Sequence, residues 1–150
     1  MRLKLILIFI SIFFIACQEN SKDDGVFKVH WDRDMCARCV MVVSDRRNTL
    51  QLRNPDNGKK YVFDDIGCMV LWFKEENIKW KDRANIWITA KNSGEWIDAR
   101  KAFYTTQNIT PMASGYAAYK SRSDIKNGED IINFVEVSKR VLALEAKKSN

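Results

Sequence analysis

The chain has 150 residues, of which 46% are hydrophobic, 11% aromatic and 29% charged, with a formal net charge of +6. This length and composition predict one folded domain, or two small units sharing a core, and exclude a disordered chain or a large multidomain enzyme. The sequence contains no Walker A loop, no GxGxxG turn and no HExxH helix. Its single histidine, His30, excludes a site built from two or three imidazoles of one chain.

The first 17 residues are predicted to be a targeting segment. Arg2 and Lys4 form a positive start, and residues 5–16 follow as an almost wholly apolar stretch of 12 residues. A stretch of that length is too short to cross a bilayer as a helix. Ala16-Cys17 resembles the cleavage box of bacterial lipoproteins, whose cysteine becomes the first residue and carries lipid. An ordinary secretory signal is the alternative.

The predicted organisation has three parts. Residues 1–16 are a lipoprotein signal peptide, residues 17–25 a polar tether anchored by lipid on Cys17, and residues 26–150 a folded domain. The mature chain is therefore expected on the periplasmic side of a bacterial membrane, where thiols are at risk of oxidation. The lysines and arginines are scattered as on ordinary solvated faces, and we expect no nucleic-acid partner.

Short β-branched and aromatic runs alternate with two helical patterns. A turn containing Asn57-Gly58 predicts a hairpin between residues 49–53 and 60–63. Asp64 or Asp65 is expected to cap a helix that fades near Asn77. Its apolar face is predicted to contain Ile66, Met69, Val70 and Phe73. Further strands are predicted at residues 26–31, 40–43, 86–89, 101–105, 116–120 and 141–144, and a second helix at residues 130–138.

The predicted order is strand, strand, helix, strand, and this four-element order then occurs a second time. It predicts an α+β domain made of two ββαβ-type units packed together, at about residues 32–92 and 95–146.

Four sulfur-bearing side chains fall within seven residues, namely Met35, Cys36, Cys39 and Met41. If residues 39–43 are extended, Cys39 and Met41 point to the same face. A thiolate and a thioether are soft donors that favour Cu(I) among biological metals. This spacing therefore indicates a copper site.

Three other interpretations of the sulfur groups stay open. Met35 and Met41 are explained equally by packing in the core. Cys36 and Cys39 form a CxxC, which also suits thiol–disulfide exchange. A structural zinc site is possible with four ligands of suitable type, namely His30, Cys36, Cys39 and Cys68.

Cys68 and His30 have open roles of their own. Cys68 is a buried thiol, a disulfide partner of Cys36 or a metal ligand, and His30 is an ordinary histidine or a ligand. Besides Cys17 there are three cysteines, so they cannot all pair within one chain.

Several motifs in this order resemble the NosL family, the copper-binding accessory lipoproteins of nitrous oxide reductase. The resemblance covers about residues 32–145. It rests on the lipoprotein box, Asp34-x-Cys36-x-x-Cys39-x-Met41, residues 63–69 (FDDIGCM), residues 96–99 (WIDA), residues 102–104 (AFY) and Thr110-Pro111-Met112.

The resemblance implies a Cu(I) site formed by Cys39, Met41 and Met112, and does not extend to Cys36 or Cys68. It implies a lipid-anchored, non-enzymatic chaperone that delivers copper for nitrous oxide reductase in denitrification. The implied partners are that enzyme and its membrane maturation machinery. The alternatives are an extracytoplasmic thiol–disulfide oxidoreductase using the CxxC and a zinc-stabilised binding module.

Overall fold

The computed structural model describes residues 25–149. The predicted signal peptide, Cys17 and all but the last residue of the predicted tether lie outside the described residues. Among the residues that are described, none of the helices is both long and apolar enough to cross a membrane.

The first sheet is antiparallel, and from edge to edge its strands are Lys60–Phe63, Leu50–Arg53, Ile86–Thr89 and Trp96–Asp98. Strands β1 (Leu50–Arg53) and β2 (Lys60–Phe63) form the predicted hairpin, and Gly58 in its turn has a φ of 72° that favours glycine. Strand β3 (Ile86–Thr89) is confirmed. Strand β4 (Trp96–Asp98), which was not predicted, completes the edge.

Helix α1 (Ile66–Glu75) follows the hairpin. The side chain of Asp65 caps it by accepting the N–H of Cys68, and the helix ends two residues before Asn77, which has a φ of 49°. Ile66 and Met69 are fully buried, as the helical spacing predicted. The helix, its cap and its end are thus confirmed.

The second sheet has the order β6-β5-β7. Strands β5 (Phe103–Thr105) and β6 (Ala117–Tyr119) lie within the predicted segments and pair antiparallel across a loop of residues 106–116. Strand β7 (Ile131–Ile132) pairs with β5 and occupies the start of the segment predicted as a helix.

Helix α2 (Phe134–Lys148) corrects the prediction for the C-terminal part. Residues 141–144 are not a strand, because Phe134, Val137 and Val141 are buried at a spacing of three and four residues, which is helical. Asn133 caps this helix by accepting the N–H of Glu136. The second unit therefore carries its helix after three strands, so its predicted ββαβ order was wrong.

Two other predicted strands are absent from the described part of the chain. In residues 26–31, Phe27 donates its N–H to the Gln51 side chain at 2.7 Å and accepts that side chain's amide at 3.1 Å. A buried side chain thus replaces a strand partner there. Residues 40–43 follow a turn at residues 37–39 and make only an isolated bridge, between Met35 and Val42.

Residues 25–149 contain two sheets and two α-helices, which confirms the α+β class. Helix α1 packs against β2 and α2, and α2 packs against β5, so the helices join the two sheets. Tyr104 of β5 is fully buried and its hydroxyl donates to the Ala99 carbonyl at 2.7 Å. The contacts of the helices with the two sheets place the N-terminus of α1 close to the loop of residues 106–116.

Helix α2 can be tested at Ala143, which is exposed in the helix interior. We expect Ala143→Pro to lower the free energy of unfolding by about 3 kcal/mol, because proline removes a helical hydrogen bond and clashes with the preceding turn. Urea unfolding measures it. The matched control, Ala143→Gly, should cost only about 1 kcal/mol. Equal, small effects of both variants would contradict a helix at this position.

Candidate metal centre

The CxxC lies in a tight turn, here called the cysteine turn (residues 35–42). The N–H of Cys36 donates to the Met41 carbonyl at 2.9 Å, and the N–H of Val40 donates to the Cys36 carbonyl at 3.0 Å. Val40 has a φ of 60°. The expected extended run through residues 39–43 was therefore wrong, because these two bonds require the chain to fold back on itself.

Backbone N–H groups near the cysteine turn favour the thiolate forms of its cysteines. Besides the Cys68 thiol, the N–H groups of Arg38, Cys39 and Asp64 lower the pKa of Cys36 by hydrogen bonding. The N–H of Met41 acts in the same direction on the pKa of Cys39, against the larger effect of burial. Successive N–H groups that converge in this way stabilise an anion, here a thiolate.

Helix α1 adds a third sulfur to these two. Cys68 lies in its first turn, and the Sγ atoms of Cys36, Cys39 and Cys68 all lie within 4.8 Å of one another. Cys36 and Cys68 are only 2% and 1% exposed, whereas Cys39 is partly exposed. All three are free thiols in this structure. The structure thus forms a three-cysteine group with one side open to solvent.

The three thiols have different acidities. The pKa of Cys36 is lowered to about 5, chiefly because the Cys68 thiol donates a hydrogen bond to its sulfur. The pKa of Cys68 is correspondingly raised well above its ordinary value by that same bond and by burial. Burial raises the pKa of Cys39 to about 11. Cys36 is therefore the most acidic of the three thiols.

Charged side chains surround the three-cysteine group. The thiol of Cys39 donates to the Asp64 carboxylate at 3.3 Å, and burial raises the pKa of that carboxyl. The Arg38 guanidinium forms a paired contact with Glu75, at 2.7 and 2.9 Å. Glu75 and, to a lesser extent, Cys68 raise the pKa of Arg38. The Asp64 carboxyl group therefore contacts the Cys39 thiol directly, and the charge of Arg38 favours a thiolate on Cys68.

A segment of the second unit, the methionine loop (residues 110–114), is attached to the N-terminus of α1 by Asp65. One carboxylate oxygen of this fully buried residue accepts the Thr110 hydroxyl at 2.9 Å and the N–H groups of Met112 and Ser114 at 3.2 and 3.3 Å. The other oxygen accepts the N–H of Cys68 at 3.1 Å. Asp65 thus holds Met112 and Cys68 at the same end of the helix.

Gly67 makes this approach possible. A Cβ atom at this position would lie 2.8 Å from the Cβ of Ser114, closer than packed carbon atoms allow. Glycine in a helix is otherwise unfavourable by about 1 kcal/mol relative to alanine. Its presence in the first turn is explained by contact with the methionine loop.

The methionines of the two segments are not core residues. Met35, Met41 and Met112 are 51%, 53% and 36% exposed, whereas Met69 of α1 is fully buried. Core packing therefore does not explain Met35 or Met41. Met41 lies in the cysteine turn together with Cys39. Met112 lies in the methionine loop, which borders Cys68.

His30 lies outside the three-cysteine group. Its Nδ1 is 3.5 Å from Asp34, and its side chain is half-exposed. The four-ligand zinc set that includes His30 is therefore not assembled.

Two residues of this site were not predicted from the sequence to belong to it. Asp65 was expected only to cap a helix, and Arg38 carried no prediction. The doublet Asp64-Asp65 followed by Gly67 was the available signal, since a glycine in the first turn of a helix indicates that another segment packs there.

Comparison with known proteins gives a likeness of fold. No family model matches the sequence, and none of the curated proteins searched matches it either. Among solved structures, the copper chaperone NosL from Shewanella denitrificans matches with a TM-score of 0.62 and 12% sequence identity, over 75% of this chain and 95% of that one. The chain is thus similar in fold to NosL, as the sequence motifs predicted.

Proposed function

We propose that this protein is a Cu(I)-binding chaperone and not an enzyme. The observation that carries the proposal is the group of three sulfurs within 4.8 Å of one another, in a fold similar to that of a copper chaperone. Thiolates and thioethers are the side chains that select Cu(I) over harder ions.

The thioether ligands of the proposal are Met41 and Met112, which act together with Cys39. Both methionines are exposed, and Cys39 is the least buried of the three cysteines. Asp65 holds the methionine loop beside the turn of α1 that carries Cys68. Exposed donors suit a carrier, because a partner's ligand can replace them one at a time.

The cargo is proposed to serve the assembly of nitrous oxide reductase in denitrification. Support comes from the motifs that resemble the NosL family, residues 63–69 and 96–99 among them. The partners are that enzyme and its membrane maturation machinery, reached from the periplasmic side of the membrane.

The anchor is proposed to be lipid on Cys17. The support is the sequence alone, in which Ala16-Cys17 follows a short apolar stretch. We expect Cys17→Ser to abolish acylation and to release the protein from membranes, while Cu(I) affinity stays unchanged. Mass spectrometry of the mature N-terminus and fractionation of cells measure this. An unmodified Cys17 in the wild-type protein would contradict the anchor.

Titration of Cu(I) into the purified, reduced protein against a chelator of known affinity tests copper binding. We expect one tightly bound Cu(I) per chain. The control is the same protein with its thiols alkylated after unfolding, which should bind none. Failure to compete with the chelator, or retention of zinc in preference to Cu(I), would contradict the proposal.

One observation favours the oxidoreductase alternative, namely the pKa of about 5 for Cys36, because a stable thiolate is a nucleophile at neutral pH. Against it, Cys36 is only 2% exposed, so a substrate disulfide has little access to its sulfur. We expect the protein to reduce the disulfides of insulin no faster than a solvent blank does. Rapid reduction would favour the alternative.

A further inference from the structure

We propose that Cu(I) rests on three thiolates, those of Cys36, Cys39 and Cys68, and leaves through a second, outer ligand set. The outer set is Cys39 with Met41 and Met112, so the two sets share one sulfur. This inference rests on the proposed copper-binding function and specifies where the ion is held.

The distances among the sulfurs fit one three-coordinate ion. Metal–thiolate bonds of about 2.3 Å, directed to the corners of a triangle, place the sulfurs ~4 Å apart. The three Sγ atoms already lie within 4.8 Å of one another in the metal-free chain. Only small side-chain adjustments are then needed for all three to contact the same ion.

The backbone of the cysteine turn holds Cys36 and Cys39 together before any metal binds. The N–H of Cys36 donates to the Met41 carbonyl at 2.9 Å, and the N–H of Val40 donates to the Cys36 carbonyl at 3.0 Å. Val40 has a φ of 60° although its side chain is 63% exposed, so packing of that side chain does not impose this conformation. Such a conformation is unfavourable for an L-residue, and the hydrogen bonds of the turn offset its cost.

The charges around the sulfurs also favour a bound cation. Asp64 and Asp65 are buried beside the three-cysteine group, and deprotonation of the thiols adds further negative charge. Arg38, whose positive charge interacts with Cys68, is itself paired with Glu75. A cation within the triangle of sulfurs would offset this excess of negative charge.

The two sets differ in exposure, which suggests their division of roles. Cys36 and Cys68 are almost fully buried, whereas Met41 and Met112 face solvent. The exposure of Cys39 is intermediate. An ion on the inner set is shielded from water and competing thiols. Exchange of the Cys36 and Cys68 bonds for bonds to Met41 and Met112 moves the ion outward while Cys39 stays bound. Copper remains Cu(I) throughout, and the freed thiolates take up protons from solvent.

Copper X-ray absorption on the full-length Cu(I)-loaded protein tests the resting set. We expect a shell of three sulfurs in the wild type and in the Met41→Leu/Met112→Leu double variant. The double variant should release Cu(I) to a competing chelator at least tenfold more slowly. The exposed Met35 provides the matched control, because Met35→Leu should release copper at the wild-type rate.

The cysteine variants give a second, independent measurement. Cys36→Ser and Cys68→Ser should each lower Cu(I) affinity by roughly 10- to 100-fold, with circular dichroism of the metal-free proteins confirming that they fold. Loss of sulfur ligands in the methionine double variant, or unchanged affinity in both cysteine variants, would overturn the inner set while leaving the chaperone function intact. Absence of Cu(I) binding in the wild type would instead overturn the proposed function.

Discussion

Asp65→Asn is expected to lower the free energy of unfolding by about 3 kcal/mol, since hydrogen bonds to a buried charged group contribute about 1.5–3 kcal/mol each. The carboxylate is fully buried and accepts four hydrogen bonds, from Cys68, Thr110, Met112 and Ser114. An asparagine of the same shape has one acceptor oxygen and turns an NH₂ group toward donors. At least one backbone N–H is then left unsatisfied in the interior.

Urea unfolding of the metal-free protein measures this loss. Asp56→Asn is the control, because Asp56 pairs with Arg83 at the surface and its substitution should leave the unfolding midpoint close to that of the wild type. Hydrogen exchange of residues 110–114 should also accelerate in Asp65→Asn, since this residue ties the methionine loop to α1. The same unfolding midpoint for both variants would contradict the role of Asp65.

Local signals in the sequence were sufficient for the β1–β2 hairpin, α1 and β3. The turn at Gly58 and the cap at Asp65 each act over a few residues, so the hairpin and α1 were predicted within two residues of their observed ends. Strand β3 was likewise set by its own β-branched residues. These features depend little on which other segments pack against them.

The C-terminal part was harder because two patterns overlap there. Val141 belongs both to an apolar run of residues 141–144 and to a helical series with Phe134 and Val137. Packing of α2 against α1 and β5 selects the helical series, and this contact joins residues far apart in sequence. The run alone favoured a strand, which was the wrong choice.

The grouping of Cys36, Cys39 and Cys68 was left open by the sequence, as one of several interpretations of the sulfur groups. The sulfur spacing drew attention to Cys36 and Cys39. Their turn conformation was missed because it depends on Val40 adopting a φ of 60°, which β-branched residues rarely do. The third sulfur, Cys68, joins the group through the packing of α1, and no local pattern reports that contact.

Cys39→Ser is expected to cause the largest loss of Cu(I) affinity, roughly 1,000-fold, or about 4 kcal/mol at 1.4 kcal/mol for each factor of ten. Cys39 supplies a thiolate to both proposed ligand sets, whereas Cys36 and Cys68 serve only the inner one. A serine hydroxyl is a hard, neutral donor that binds Cu(I) poorly. Because Cys39 is partly exposed and lies in a turn, the smaller side chain should leave the fold intact.

Competition titration with a Cu(I) chelator measures this loss, with Met35→Leu as a sulfur-removing control that should match the wild type. The expected order of effects places Cys39→Ser first, Cys36→Ser and Cys68→Ser next, and Met41→Leu and Met112→Leu last. This order follows from the number of thiolates that each ligand set keeps. If the Cys39→Ser protein holds Cu(I) as tightly as the Cys68→Ser protein, Cys39 does not belong to both ligand sets. The ion could not then pass from one set to the other while bound to Cys39.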